Sequence, residues 1–153
     1  MMNLLEEAII YATVMHQGKV RSFSGSPYIL HSLEVAQIMA GMTDDLELIT
    51  AGILHDIVEK TDGTREEVEK RFGSRVAALV SAQSWDEAPA EEGSDAWKQR
   101  REKALVSLKN SADLGVRMLW LADQLANIRA VAGAYSEVGE AVWARLQPQD
   151  PEL

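Results

Sequence analysis

The sequence predicts an all-α fold, a helical bundle of about seven or eight helices. Apolar residues recur three and four positions apart along most of the chain, and no segment sustains the alternation typical of a strand. An Asn, Asp or Thr followed three residues later by Glu, which is a helix-start signal, precedes several of these segments. Four Pro and ten Gly in 153 residues are few for a fold built from strands and tight turns.

The first half of the chain divides into five predicted helices. In chain order they run from Asn3 to Gly18, from about His31 to Gly41, from Asp44 to Val58, from Thr64 to Phe72 and from Ser74 to Ala82. Asn3, Asp44 and Thr64 each precede a Glu by three residues, so each is expected to cap its helix. Residues 18–28, rich in Gly and Ser, are predicted to form a loop.

The sequence of the second half of the chain predicts an acidic loop and three more helices. Residues 84–95 have the length and composition of a surface loop inside a domain. The helices are expected at about Asp95 to Lys109, Asp113 to Ala132 and Ser136 to Leu146. Pro148 and Pro151 end regular structure. We therefore expect a single domain over residues 1–147 and an irregular tail over residues 148–153.

The charge balance narrows the possible functions. Fifteen Lys and Arg against 24 Asp and Glu give a net charge of −9, so binding to nucleic acid or to anionic membranes is not expected. There is no cysteine for thiol catalysis or metal ligation. The chain contains no apolar run of membrane-spanning length, and its first residues lack the basic side chains of a signal peptide. We expect a cytoplasmic protein, and with this charge a small phosphorylated substrate would need a local basic patch or a metal.

Four polar side chains interrupt otherwise apolar helices: His31, His55, Asp56 and Asp123. Taken singly, each would more often be a hydrogen-bonded core residue. A buried carboxylate is costly unless it is paired or bound to a metal. Two imidazoles and two carboxylates suit a mid-series divalent ion, which would lower the pKa of a bound water and make it a nucleophile. The four together therefore predict a metal centre.

Further polar residues lie close to these four in the sequence. Glu59, one helical turn after the second histidine, would move a proton to or from bound water, or is a solvated residue at a helix end. Asn127, one turn after the last aspartate, would bind substrate or orient a ligand, or lies on the helix surface. Lys19 and Arg21 in the predicted loop would clamp phosphate, or are exposed basic residues. His16 is either a further polar participant or a packing residue.

Four motifs, in this order, resemble the HD superfamily of metal-dependent phosphohydrolases. They are His-x-Gly at residues 16–18, Pro-Tyr-Ile-x-His at 27–31, Leu-His-Asp-x-Val-Glu at 54–59 and Leu-Ala-Asp-x-Leu-x-Asn-x-Arg at 121–129. Within the superfamily, the chain is most similar to the alarmone hydrolase domain of RelA/SpoT homologues and their small relatives. The resemblance covers about residues 5–146 and implies an HD-domain helical bundle.

The resemblance also implies a function and a set of site residues. It implies cleavage of the 3′-pyrophosphate from a guanosine 3′,5′-polyphosphate, with Glu59 assisting. The implied cofactor is one divalent transition-metal ion, of the Mn²⁺ type, held by His31, His55, Asp56 and Asp123. The positions that match family residues near the nucleotide are Arg21, Ser24 and Asn127, and Lys19 lies in the same loop.

One departure from the family pattern keeps other functions open. The family has Glu-Asp where this chain has Glu59-Lys60, so an acidic partner is replaced by a base. Besides the alarmone hydrolase, two alternatives remain: a hydrolase for another nucleotide, such as NADPH or a nucleoside phosphate, and a degenerate metal-binding module with a regulatory role.

Overall fold

A computed structural model of the chain describes residues 2–21, 23–83, 102–103 and 105–145. Within these ranges the regular elements are helices, and the only β contact is an isolated bridge between Val20 and Pro27. The prediction of an all-α fold is therefore confirmed. The predicted loop at 84–95 and the predicted tail at 148–153 lie outside the described residues.

The helices follow the predicted order. They are α1 (Leu4–Met15), α2 (Ile29–Ala40), α3 (Leu46–Leu54), α4 (Ile57–Lys60), α5 (Arg65–Phe72), α6 (Ser74–Ser81), α7 (Leu114–Val138) and α8 (Val142–Arg145). Residues 102–103 and 105–110 are also helical, and a 3₁₀ turn (Gly139–Ala141) connects α7 to α8. In the part of the chain that the structure covers, no helix has both the length and the apolarity to cross a bilayer.

The helix starts largely agree with the sequence signals. Asn3 and Thr64 each accept a hydrogen bond from the backbone of the Glu three residues on, and that Glu bonds back, so both capping boxes form. The predicted cap of the third helix is wrong by one residue, because Asp45 rather than Asp44 caps α3. The backbone of Asp45 is extended, and its Oδ1 accepts from the Glu47 amide at 3.0 Å.

The predicted third helix does not continue to Val58. α3 ends at Leu54, and the backbone leaves helical geometry at Asp56 (φ −97°, ψ 1°) before α4 begins. In an unbroken helix, consecutive side chains point about 100° apart. The break lets His55 and Asp56 approach the same point, where Nε2 and Oδ2 are 3.0 Å apart.

Two predicted helix boundaries near the C-terminus are also wrong. α7 does not end near Ala132 but runs for 25 residues to Val138, and so no separate helix begins at Ser136. The helix accommodates Gly133 in its interior, at a modest cost in helix propensity. It ends where Gly139 adopts φ +58°, a conformation that favours glycine.

α3 forms the centre of the core. Every residue from Leu48 to Leu54 is buried. At Gly52 an added Cβ would lie 3.3 Å from Ala36 Cα and 3.2 Å from the Met39 side chain, so glycine allows α2 and α3 to pack closely. This close packing places the histidine of α2 beside the end of α3.

Candidate metal centre

The four predicted metal ligands meet where α2, the α3–α4 junction and α7 converge. His31 Nε2 lies 3.1 Å from Asp123 Oδ1 and 3.7 Å from Asp56 Oδ2. His55 Nε2 lies 3.0 Å from Asp56 Oδ2 and 3.6 Å from Asp123 Oδ1. Both histidines are buried, and both aspartates are largely covered. Helices distant in sequence thus bring two imidazoles and two carboxylates into contact.

The backbone fixes the orientation of His55. Its Nδ1 lies 2.9 Å from the carbonyl oxygen of Gly52, one turn earlier in α3. A carbonyl can only accept a hydrogen bond, so Nδ1 carries the proton in the neutral ring. Nε2 therefore presents its lone pair to the two aspartates, which is the tautomer that a metal-binding histidine needs.

The two largely covered carboxylates of the cluster favour a positive charge between the four side chains. His55 Nε2 is buried and makes no hydrogen bond of good geometry, although it faces two carboxylates. Burial lowers the pKa of His55, but Asp56 and Asp123 outweigh it and leave that pKa well above its usual value. Burial raises the pKa of each aspartate, but the imidazoles outweigh it and lower both. The lone pairs and carboxylates therefore attract a proton or a cation.

The spacing of these atoms suits a shared metal ion. Two ligand atoms that bind one ion at about 2.1 Å, with angles of about 90–110°, lie about 3.0–3.4 Å apart. Two of the nitrogen-to-oxygen distances in the cluster, 3.0 and 3.1 Å, fall in this range, and the other two, 3.6 and 3.7 Å, are slightly longer. Donor atoms of His31, His55 and Asp123 all lie within 4.8 Å of one another. The residues present fit a divalent ion with nitrogen and oxygen ligands.

Outer hydrogen bonds hold both carboxylates. Asp123 Oδ1 accepts from Asn127 Nδ2 at 3.0 Å, and its Oδ2 accepts from Gln124 Nε2 at 3.0 Å. Asp56 Oδ2 accepts from the Tyr28 hydroxyl at 2.7 Å. Tyr28 and Gln124 were not among the residues predicted for this site. For Tyr28 a signal existed, since it lies three positions before the predicted ligand His31 within one motif.

The predicted substrate residues fall into two groups. Lys19 and Ser24 are exposed on the 18–28 loop, where the Ser24 hydroxyl bonds Ser26 Oγ at 2.8 Å. Arg21 is instead buried, and its Nη2 donates to Asn127 Oδ1 at 2.7 Å. Arg21 and Asn127 therefore extend the hydrogen-bond network around Asp123. Substrate contact by the four residues stays a prediction.

The predicted proton-transfer residue lies on the short helix α4. The side chain of Glu59 is one-third exposed, and its Oε1 is 3.1 Å from Lys60 Nζ. Glu59 does not share a continuous helix with His55 as predicted, because the α3–α4 break separates them. The basic residue that departs from the family pattern is thus in direct contact with the carboxylate expected to move a proton.

An all-helical domain in which a histidine, a His-Asp pair and a distant aspartate meet in a buried cluster defines the HD class of metal-binding proteins. This chain belongs to the HD domain family, whose model matches residues 8–148. The resemblance stated from the motifs is thereby confirmed.

Individual relatives agree with this assignment. The guanosine-3′,5′-bis(diphosphate) 3′-pyrophosphohydrolase of Vibrio cholerae serotype O1 is 36% identical over 128 residues, which are 83% of this chain and 18% of the relative. The bifunctional (p)ppGpp synthase/hydrolase SpoT of Escherichia coli K12 is 35% identical over 128 residues, with the same two shares. The chain therefore spans less than one-fifth of the length of these relatives.

Two solved structures share the fold. One is a metazoan ortholog of SpoT described as hydrolysing ppGpp; it has a TM-score of 0.72 and 29% identity and is matched over 86% of this chain and 72% of its own. The other, from Listeria monocytogenes EGD-e, has a TM-score of 0.61 and 31% identity and is matched over 73% of this chain and 67% of its own. Both likenesses extend over most of the HD domain.

Proposed function

We propose that this protein is a metal-dependent nucleotide phosphohydrolase that removes the 3′-pyrophosphate from guanosine 3′,5′-bis(diphosphate). The observation that carries the proposal is the buried cluster of two histidines and two aspartates. The similarity to (p)ppGpp hydrolases over 83% of the chain supports the choice of substrate. We further propose that residues 1–147 act as one HD-type domain and that the protein works in the cytoplasm.

His31, His55, Asp56 and Asp123 would hold one divalent ion, for which we propose Mn²⁺. When bound, such an ion supplies Lewis-acid chemistry at phosphorus and lowers the pKa of a coordinated water. The two carboxylates balance the charge of a dication, and neutral imidazoles complete a mixed nitrogen and oxygen ligand set. Burial keeps the pKa of His31 below its usual value, as a neutral ligand requires.

The remaining residues would handle protons and phosphates. In the proposed reaction, water attacks the phosphorus attached to the ribose 3′ oxygen. The bond between that phosphorus and the ribose 3′ oxygen breaks. Glu59 accepts a proton from the attacking water, and the ribose 3′ oxygen takes up a proton as it leaves. The products are GDP and intact pyrophosphate. The four residues proposed to contact the nucleotide are Lys19, Arg21, Ser24 and Asn127.

The test is a hydrolysis screen with manganese present. Protein is incubated in ¹⁸O-labelled water with guanosine tetraphosphate, NADPH or common nucleoside phosphates, and the products are identified by mass spectrometry. We expect GDP and pyrophosphate from guanosine tetraphosphate, with the label in pyrophosphate. Release of orthophosphate would refute the proposed reaction, and turnover of another substrate alone would refute the proposed specificity. Asp123→Ala protein serves as the inactive control.

The second candidate is a metal-binding module that binds nucleotide without turning it over. The contact between Lys60 and Glu59 favours it, because an ion pair occupies the proposed proton acceptor. This candidate predicts that guanosine tetraphosphate binds to manganese-loaded protein with micromolar or tighter affinity and remains intact. Binding by calorimetry and turnover in the same sample separate the two candidates.

A further inference from the structure

A buried tyrosine directs its hydroxyl at one of the proposed metal ligands. Tyr28 is 4% exposed, and its hydroxyl donates to Asp56 Oδ2 at 2.7 Å. That same oxygen lies 3.0 Å from His55 Nε2 and 3.7 Å from His31 Nε2. The hydroxyl therefore holds the one oxygen of Asp56 that faces both imidazoles.

Neighbouring groups restrict the ring of Tyr28. It stacks on His16 with ring centroids 4.9 Å apart and planes at 24°, and it meets the edge of His31 at 5.8 Å. The guanidinium of Arg21 lies 5.7 Å from the centre of the same ring. The Tyr28 amide donates to the Lys19 carbonyl at 2.9 Å, which fixes the backbone. The hydroxyl is therefore held towards Asp56 from several directions.

A hydrogen bond of this kind leaves the carboxylate free to bind an ion. Each carboxylate oxygen has two lone pairs, so Asp56 Oδ2 can accept from Tyr28 with one and bind metal with the other. An oriented carboxylate loses less rotational freedom on metal binding than a free one. Removing such outer partners of metal ligands typically costs about 10–100-fold in metal affinity.

We propose that Tyr28 is a positioning residue of the metal centre, whose hydroxyl orients Asp56 before the ion binds. The inference rests on the proposed function only in so far as Asp56 is a metal ligand. It concerns binding of the ion, so it can be tested without nucleotide and without turnover.

The test is the Tyr28→Phe substitution, which removes the hydroxyl and keeps the ring. Metal-free protein is titrated with Co²⁺, and binding is followed by visible absorption, which also reports the coordination geometry. We expect affinity about 10–100-fold weaker than that of the wild type. The matched control is Tyr11→Phe, which removes the hydroxyl of a buried tyrosine packed on Phe72, and it should bind Co²⁺ like the wild type.

A second substitution separates the hydrogen bond that orients Asp56 from the space that the Tyr28 hydroxyl fills. In 4-fluorophenylalanine at position 28, fluorine fills the space of the hydroxyl but cannot donate a hydrogen bond. We expect it to bind Co²⁺ as weakly as Tyr28→Phe. Recovery of wild-type affinity with the fluorinated residue would show that only volume matters and would overturn the inference, as would unchanged affinity of both variants.

Asp56→Asn identifies which of the two proposals fails. If Asp56→Asn binds Co²⁺ as tightly as the wild type, the Asp56 carboxylate is not a required ligand, and the four-ligand centre behind the proposed function is wrong. If Asp56→Asn loses affinity and the Tyr28 variants do not, the centre stands and the positioning role of Tyr28 is wrong. Weak binding by all three variants is the expected result.

Discussion

The proposed metal centre and its rim, which consists of Lys19, Glu59 and Lys60, are built in different ways. In the centre, His31 on α2, the His55-Asp56 pair at the α3–α4 junction and Asp123 on α7 are largely covered, and each imidazole Nε2 lies within 3.7 Å of both carboxylates. On the rim, Lys19 is exposed, and Glu59 pairs with its own neighbour Lys60. The centre is thus fixed by the packing of the fold, whereas the rim consists of more exposed charged side chains. Changes in the centre should abolish function, and changes at the rim should adjust it.

The largest effect is expected from removing a ligand of the centre. We expect about one divalent ion per wild-type chain and none in His55→Ala or Asp123→Ala protein, because each ligand supplies part of one shared site. An ion present at about 100 times its dissociation constant stabilises the folded state by about 2.7 kcal/mol, and both variants should lose that stabilisation. Metal analysis and thermal unfolding measure the two effects.

The control for these variants is Asp44→Ala, which removes an exposed aspartate. It should bind one ion per chain and unfold at the wild-type temperature when loaded. Full metal occupancy in both ligand variants would refute the assignment of the centre.

Much of the proposed centre was predictable because its polar residues lie in otherwise apolar helices. His31, His55 and Asp123 each stand among apolar residues at helical spacing, so burial without a partner would be unfavourable. The fold class followed from the same spacing. Asp56 was predictable from the His-Asp motif, since metal-binding residues of this family recur in that order.

The arrangement around the ligands was not predictable in the same way. Apolar spacing continues through the α3–α4 break, so the sequence carries no signal for a break that tertiary contacts of Asp56 stabilise. Arg21 lies in a Gly- and Ser-rich loop, which suggested exposure. Its burial depends on a hydrogen bond to Asn127, 106 positions away, and a contact of that range leaves no local pattern.

A smaller effect is expected at His16, which lies beside the centre without being one of the proposed ligands. Burial lowers the pKa of His16 to about 4, although the charge of Asp56 opposes the shift. An unfolded histidine titrates at about 6.5. Between these values the unfolded chain binds more protons than the folded one, so stability falls as the pH falls from about 6.5 to about 4. By pH 5 the loss reaches about 2 kcal/mol.

His16→Phe should remove this loss, because phenylalanine keeps a flat ring against Tyr28 but does not titrate. The measurement is urea unfolding of metal-free wild-type and variant protein at pH 7, 6 and 5. Other groups near His16, which include His31, His55, Asp56 and Lys19, titrate in both proteins, so the difference between the two curves isolates His16. Parallel curves from pH 7 to pH 5 would contradict a buried neutral His16.

The rim is tested most directly by Lys60→Asp, which restores the acidic residue of the family pattern. Lys60 Nζ lies 3.1 Å from Glu59 Oε1, and the Lys60 side chain is only 15% exposed, so the ammonium competes with water for the oxygen that would accept a proton. General acid–base assistance is worth about 10²–10⁴-fold. If the ion pair impairs this assistance, kcat in manganese-loaded protein should rise by about tenfold, well within that range.

The opposite result would identify a different role for Lys60. If its ammonium binds the phosphates of the substrate, Lys60→Asp raises KM and leaves kcat unchanged or lower, because a cation has been replaced by an anion. Lys70→Asp on α5 makes the same change of charge at an exposed position and should alter neither constant. We expect the rise in kcat, since Lys60 contacts the proposed proton acceptor directly. An unchanged kcat at full metal occupancy would show that the pair does not limit hydrolysis.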